Sequence, residues 1–274
     1  MNQETFETFK EFIESNLGIK IPPSKKIMLE SRLAKRLRAL KMANYEDYCA
    51  YVFSAEGFER EIQQLIDVIT TNETDFFREP HHFDYLSDKV LPELVLEKGF
   101  TELNIWSVAA STGQESYTLA MTMEEFAHLR APFKYRILGT DISETVLRIA
   151  TAGIYTEHQA AKIPTMLKKR YCLRSKNPAQ KTIRMKPELR ERILFRKLNL
   201  MDPEYPIKKK YQIIFCRNVF IYFDRPTQKK VLERIYSHLA PGGYLFMGHS
   251  ENISNVQMPL RNVSAAVYRN IQEE

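Results

Sequence analysis

The sequence predicts an α/β fold: a mostly parallel sheet with helices on both faces, preceded by an all-α domain and interrupted by a small antiparallel β-subdomain. Three observations carry this. Apolar residues repeat at helical spacing through the first 71 residues, where no run looks like a strand. From about residue 101, short apolar runs alternate with helical stretches, the pattern of a sheet buried on both faces. A basic segment at about 154–195, punctuated by Pro164, Pro178 and Pro187, breaks that alternation.

Taken in order, Phe6, Phe9, Phe12 and Ile13 form one apolar stripe and Leu29, Leu33, Leu37 and Leu40 a second. Phe58, Ile62, Leu65, Ile66 and Ile69 form a third. Pro22 and Pro23 predict a loop with Ser24 as the cap of the next helix, and Asn44 sits at the cap position before a helix over 45–53. Strands are predicted over 103–109, 135–140, 211–216 and 244–248, and helices over 114–129, 144–152 and 226–239. Within the basic segment, 171–174, 181–185 and 193–196 read as a small β-ribbon. Residues 263–268, following 252–256, predict an antiparallel hairpin at the sheet edge. The expected boundaries are 1–71 for the helical domain, 72–92 for a linker and 93–274 for the α/β domain.

Composition excludes several classes. At 274 residues, 44% hydrophobic and 27% charged, this is ordinary globular material with enough chain to bury a large core. The net charge of +6 hides a split. Residues 20–41 carry eight basic side chains against Glu30 alone, residues 162–210 carry sixteen against four acids, and the rest of the chain is acidic. Clustered charge of this kind points to a localised acidic partner. Three dispersed cysteines, Cys49, Cys172 and Cys216, form neither a disulfide framework nor a zinc spacing. The acidic N-terminus (Glu4, Glu7, Glu11, Glu14) has the wrong sign for a signal peptide, and no uncharged stretch reaches the roughly 18 residues of a membrane span. A soluble cytoplasmic protein, without membrane insertion, is expected.

In an open α/β sheet the ligand lies beyond the carboxyl ends of the strands. The first such end, Ala109-Ala110-Ser111-Thr112-Gly113, runs into a helix without a G-x-G-x-x-G pattern, so a dinucleotide pyrophosphate is not indicated. Glu115 in the first helical turn would repel phosphate and suit an ammonium group; it would equally complement the helix dipole, and spacing leaves the two even. Asp141 ends the second strand, where an acid accepts hydrogen bonds from ribose hydroxyls. Alone it reads as a helix cap, and with the first loop beside it ribose binding competes. Arg217 and Asn218 end the third strand, with Tyr222 close behind and able to be simple core packing. The doublet His81-His82 has no third metal ligand nearby in sequence and reads as packing, so no metal is expected.

The runs TTNETDFFREPHHF (70–83), IWSVAASTGQESYTLAM (105–121), ILGTDIS (137–143), FCRNVFIYFD (215–224) and GGYLFMGHSE (242–251) resemble the chemotaxis receptor methyltransferase family, CheR. The match spans the helical and α/β parts in the right order. It implies a class I S-adenosyl-L-methionine (AdoMet)-dependent methyltransferase fold, Rossmann-like, with an all-α N-terminal domain and an inserted β-subdomain. It also implies methyl-ester formation on glutamate side chains of methyl-accepting chemotaxis receptors, with S-adenosyl-L-homocysteine as product. Carried over by residue, it places Asn72, Thr74 and Arg78 in the AdoMet pocket, Glu115 on the ammonium, Asp141 on the ribose, Asn199 and Leu200 beside the adenine, and Arg217 and Asn218 in the same set.

Methyl transfer to an already ionised carboxylate needs no general base. Arg78 and Tyr222 are therefore the expected catalytic pair, the guanidinium keeping the substrate ionised and the phenol fixing its oxygen; Arg78 equally suits the cofactor. Lys25, Arg32, Lys35 and Arg36 project opposite the leucine stripe and are expected to meet the acidic cytoplasmic helices of a receptor. Family members that dock a receptor's C-terminal peptide on the β-subdomain tend to have a glycine-rich loop there. This chain has no glycine between Gly153 and Gly242, which argues against a tether. A nucleic-acid-binding or RNA-methylating protein is the competing class, but no aromatic-rich RNA signature or Asn/Asp-Pro-Pro-aromatic motif is present. A catalytically silent AdoMet binder is countered by the joint presence of Arg78, Glu115, Asp141 and Tyr222. No nucleic acid and a monomer are expected.

Overall fold

In the computed structural model, which describes residues 1–177, 179–251 and 258–272, the N-terminal third is helical for reasons its sequence supplies. Helix α1 (Gln3–Leu17) starts where the Asn2 side chain accepts the Thr5 N–H and stops at Gly18 in the left-handed region. Helix α2 (Lys26–Leu40) follows a single 3₁₀ turn, Pro23–Lys25; Ser24 lies inside that turn and does not cap α2, which begins without a side-chain cap. Helices α3 (Tyr45–Val52) and α4 (Ala55–Ile69) are capped by Asn44 and Ser54. The apolar stripes meet in one core of Phe6, Phe9, Ile13, Leu29, Leu33, Tyr48 and Leu65. Phe58, expected in that core, is exposed on the outer face of α4.

Residues 81–97 form a helix, α5 (His81–Tyr85), that continues through wide π turns at Leu86–Val90 and Pro92–Glu97. Its Phe83, Leu86, Val90, Leu91 and Leu94 pack in the sheet's core, so the connection expected over 72–92 narrows to the stretch before His81. The strands β1 (Glu102–Val108), β2 (Lys134–Asp141), β6 (Ile193–Lys197), β7 (Tyr211–Cys216), β8 (Leu239–Met247), β9 (Leu260–Ser264) and β10 (Val267–Asn270) build one sheet in the order β6-β2-β1-β7-β8-β10-β9. Neighbours from β6 to β8 are parallel, and β10 runs antiparallel to both β8 and β9. Helices α6 (Gln114–Leu129), α7 (Glu144–Ala152) and α10 (Arg225–Tyr236) cover its faces. Strand order reverses between β1 and β7, which fixes the ligand crevice at the carboxyl ends of those strands.

The insertion holds β3 (Ile154–Thr156), helix α8 (Thr165–Tyr171), β4 (Cys172–Arg174), β5 (Thr182–Met185) and the short α9 (Pro187–Arg190). Its three-stranded sheet has the order β3-β5-β4 and is antiparallel. The run 193–196, expected in this ribbon, instead belongs to the main sheet as its parallel edge strand, paired Ile137 to Ile193 and Asp141 to Lys197. Its exposed Leu194 and Arg196 alternate with inward residues, and one-face burial looks the same in either sheet. The C-terminal hairpin exists, but 263–268 is not one strand: Ala266 adopts a left-handed angle (φ 54°) and the turn there separates β9 from β10. The run 252–256 lies outside the described residues. Helix α10 ends at Tyr236, and Leu239 already belongs to β8.

The two domains share an intimate seam. Asn199 donates to the Asn16 carbonyl (2.8 Å), the Lys20 N–H to the Tyr222 carbonyl (3.0 Å), and Gln63 to the Ile142 carbonyl (3.2 Å). At Gly18 an added Cβ would come within 2.6 Å of the Met201 sulfur, so glycine serves both the left-handed cap and this close approach. Among the described residues no helix is long and apolar enough to cross a membrane.

Candidate active site

Strand β1 delivers its chain end into a tight loop. Ala109 and Ser111 take left-handed angles (φ 52° and 49°), and the Ala110 N–H bonds the Thr140 carbonyl (2.8 Å). The Asp141 carboxylate accepts the Ser111 N–H (2.9 Å) with one oxygen and the Ser143 N–H (3.0 Å) with the other. The cap of α7 is Ser143, whose hydroxyl oxygen accepts the Val146 N–H, so Asp141 is not the cap. Burial pushes the Asp141 carboxyl up, and its backbone donors work against that. Acceptor-only lone pairs remain for hydroxyl donors in the crevice.

Glu115, in the first turn of α6, accepts the Ser107 hydroxyl (2.7 Å) and the Arg217 Nε–H (2.8 Å). Arg217 is buried at the end of β7 with its guanidinium over the Phe83 and Phe215 rings, 5.3 and 5.5 Å from their centroids. It also donates to the Arg78 carbonyl (2.8 Å) and stands 3.3 Å from Glu79 and 3.2 Å from His82 Nδ1. Thus one buried cation ties the end of β7 to α6 and to the Arg78 segment. Ser111 completes the bracing by donating to the Asn72 carbonyl (2.9 Å).

A cavity of about 300 Å³ opens here. Asn72, Thr74, Arg78, Glu115, Asp141, Asn199, Leu200, Arg217, Asn218 and Tyr222 all line it, so residues spread over 150 positions of sequence converge. Among the described residues Arg78 makes no ion pair; its guanidinium donates only to the Glu73 carbonyl (3.2 Å). The Tyr222 hydroxyl makes no hydrogen bond to the described residues, unlike a packed core tyrosine. An unneutralised cation and a free phenol in one crevice suit a carboxylate.

The four cations expected on one face, Lys25 in the 3₁₀ turn and Arg32, Lys35 and Arg36 on α2, separate. Lys25 and Arg32 stand at the cavity, and Arg32 donates to the Ile69 carbonyl and the Thr71 hydroxyl (2.7 Å). Lys35 is exposed. Arg36 turns inward and grips Glu61 with two bonds (2.6 and 2.9 Å), while Tyr48 donates to the same carboxylate (3.1 Å). The expectation of one outward face fails at Arg36, because a carboxylate at Glu61, 3% exposed, demands a partner. Sequence reading missed Leu17, Ile19, Ile21 and Met28, which give the cavity an apolar wall from the helical domain. They are indistinguishable in sequence from core residues.

His82 is fully buried, and burial with the nearby Arg217 charge lowers its pKa to about 4. A third polar neighbour for the doublet does exist: ligand atoms of Glu79, His81 and His249 lie within 4.8 Å of one another. Burial raises the Glu79 carboxyl, but Arg217 and neighbouring donors outweigh it and hold the group below its ordinary range. The guanidinium already supplies the positive charge there and opposes a second cation.

Comparison with known proteins identifies the family. The family model described as the CheR methyltransferase all-alpha domain matches residues 4–70, and that of the CheR methyltransferase SAM binding domain matches 72–269. The chain is 40% identical to a chemotaxis protein methyltransferase of Borreliella burgdorferi, covering 89% of this chain and 86% of the relative. It is 38% identical to chemotaxis protein methyltransferase 2 of Pseudomonas aeruginosa, covering 97% and 92%, and 36% identical to the Escherichia coli chemotaxis protein methyltransferase, covering 92% and 85%. With both domains matched in order and the crevice built at the strand ends, the chain belongs to the CheR family of AdoMet-dependent methyltransferases.

Proposed function

We propose that the protein methylates glutamate side-chain carboxylates on the cytoplasmic helical domain of methyl-accepting chemotaxis receptors, leaving S-adenosyl-L-homocysteine. The observation that carries this reading is the set of groups lining the cavity: the carboxylates of Glu115 and Asp141, the guanidinium of Arg78, which has no ion pair among the described residues, and the Tyr222 hydroxyl, which makes no hydrogen bond to them. The residues fit AdoMet. Glu115, oriented by Ser107 and Arg217, takes the ammonium, Asp141 the ribose, Asn199 and Leu200 the adenine edge, and Asn72 and Thr74 close the site.

When bound, AdoMet supplies an electrophilic methyl group: a carboxylate oxygen forms the new C–O bond while the C–S pair returns to sulfur, and no proton moves. The chain's task is electrostatic and geometric. Burying a glutamate raises its pKa and would protonate it, whereas a guanidinium within contact lowers it by about 1 to 3 units. Arg78 does this, and Tyr222 donates to the attacking group and fixes its direction. Alignment of this kind contributes on the order of 7–11 kcal/mol. Lys25 and Arg32 at the cavity, and the exposed Lys35 on α2, face the acidic receptor helix. The chain acts as a monomer, and it docks the receptor without a tethering receptor C-terminal peptide, because its loop 175–180 lacks the glycines of tether-binding family members.

The test is incubation with methyl-labelled AdoMet and receptor-containing membranes, then mild base. Label released as methanol is expected, because only methyl esters hydrolyse so readily. Base-stable label on protein, or label on RNA, would overturn the reading.

A further inference from the structure

Glu251 lies just beyond β8, 6% exposed, and does not line the cavity. Its carboxylate is filled by backbone donors from two strand ends. One oxygen accepts the N–H groups of Asn218 (2.8 Å) and Gly248 (2.7 Å), and the other accepts that of Phe220 (2.7 Å). Asn218 has a left-handed angle (φ 58°), and Phe220 opens the 3₁₀ turn Phe220–Tyr222 that carries the tyrosine to the cavity. Gly248 is required for the approach: a Cβ there would stand 2.6 Å from the Glu251 carboxylate and 2.9 Å from the Asn218 nitrogen. Burial raises the Glu251 carboxyl, and the surrounding N–H groups oppose that rise.

A buried carboxylate with three N–H donors is an unusual commitment, because desolvating it is expensive unless every lone pair is used. Those donors belong to the segment that presents Asn218 and Tyr222. We infer that Glu251 is a positioning residue for methyl transfer: it holds the segment after β7 in its strained shape and so aims Tyr222 at the substrate carboxylate. This deepens the proposed function and rests on its placement of Tyr222 beside the reacting group. Glutamine keeps the length but turns an NH₂ toward an N–H donor, so Glu251→Gln specifically unseats one end of the clamp.

The experiment is a double-mutant cycle in the full chain, read as kcat for receptor methylation alongside the Kd for S-adenosyl-L-homocysteine. Glu251→Gln is expected to lower kcat up to about tenfold, no more than Tyr222→Phe does, while shifting Kd less than about threefold. If Glu251 acts through the tyrosine, Glu251→Gln with Tyr222→Phe loses little more than either alone, whereas a purely structural role gives losses that multiply. Unchanged kcat in Glu251→Gln, or multiplying losses, overturns the inference. If glutamine prevents folding, Glu251→Asp is carried through the same cycle; failure of both to fold makes Glu251 a stability residue and also overturns it. A harmless Tyr222→Phe by itself would instead sink the placement of Tyr222 on which the inference rests.

Discussion

Seven non-glycine residues among those described have left-handed backbone angles, and five of them (Phe77, Glu79, Ala109, Ser111 and Asn218) lie in or beside the cavity. Such conformations cost on the order of 1–3 kcal/mol each and persist where the surroundings over-determine them. Here the determinants are visible: Asp141 holds Ser111, Glu251 holds Asn218, and Arg217 holds the carbonyl of Arg78 between Phe77 and Glu79. Strand-end position alone marked Glu115 and Asp141 as candidates for the crevice, which both line, while leaving a helix-dipole or cap role open for each. The Arg78 segment was legible only through the family resemblance, since an unbraced loop and a braced one read alike in sequence. Arg78→Ala is expected to reduce kcat about 10²–10³-fold and Tyr222→Phe about tenfold, with Kd for S-adenosyl-L-homocysteine rising far less. A Kd that rises as much as kcat falls would move Arg78 to the cofactor. His82 gives a pH signature. Its native pKa of about 4 lies below the ordinary 6.5, so between these values the unfolded chain binds the proton and the native one does not. Stability from this group is complete above pH 6.5 and falls by at most about 3 kcal/mol as pH drops towards 4. Replacing it in His82→Gln is expected to flatten the fall of Tm across that window; parallel Tm curves for the two proteins would refute the assignment.

Helix α2 shows how an element can be read correctly as to place and incorrectly as to face. Its leucine stripe is buried as the spacing requires, but a helical wheel gives no sign that Glu61 of α4 is buried opposite Arg36. The two arginines therefore have work inside the molecule. Arg36→Ala is expected to destabilise the fold by about 3 kcal/mol, lowering Tm by several degrees, because it strands a buried carboxylate. Lys35, exposed and without an ion pair among the described residues, is the cleaner probe of receptor docking. Lys35→Glu is expected to lower kcat/KM for the receptor several-fold at low salt, with the difference closing as salt is raised and with Tm unchanged. A salt-independent effect would place Lys35 outside the docking face. The β6 misassignment has a similar root: period and burial specify a strand's face, whereas its partner is set by long-range register that local pattern does not encode.

Across the whole molecule, five of the sixteen cations in the basic insert are answered from within. Lys162 pairs with Asp75, Arg170 with Glu125, Arg174 with Glu157, Arg192 with Glu124 and Lys197 with Glu144, all acids outside the 162–210 run. Part of the charge asymmetry along the sequence is therefore an internal complementarity, with Arg170 and Arg192 meeting the acids of α6. The start of the sheet was legible because helical stripes give way after about residue 101 to short apolar runs separated by helical stretches. The cavity's apolar wall was not, because it is formed by the helical domain's Leu17, Ile19, Ile21 and Met28 closing over the sheet. Since both domains line the cavity, ligand binding couples them: S-adenosyl-L-homocysteine at about 100 times its Kd should add about 2.7 kcal/mol and shift one shared thermal transition. Two transitions, of which only the later moved, would show that the helical domain does not take part.

A crystal structure of the protein with S-adenosyl-L-homocysteine tests the arrangement most directly. The expected result is the ligand in the cavity at the carboxyl ends of β1, β2 and β7, its amino group in hydrogen-bond contact with Glu115, its ribose hydroxyls on Asp141 and its sulfur facing the side of Arg78 and Tyr222. A ligand lying elsewhere, or in this cavity with its amino group away from Glu115 and its sulfur turned from Tyr222, would contradict it.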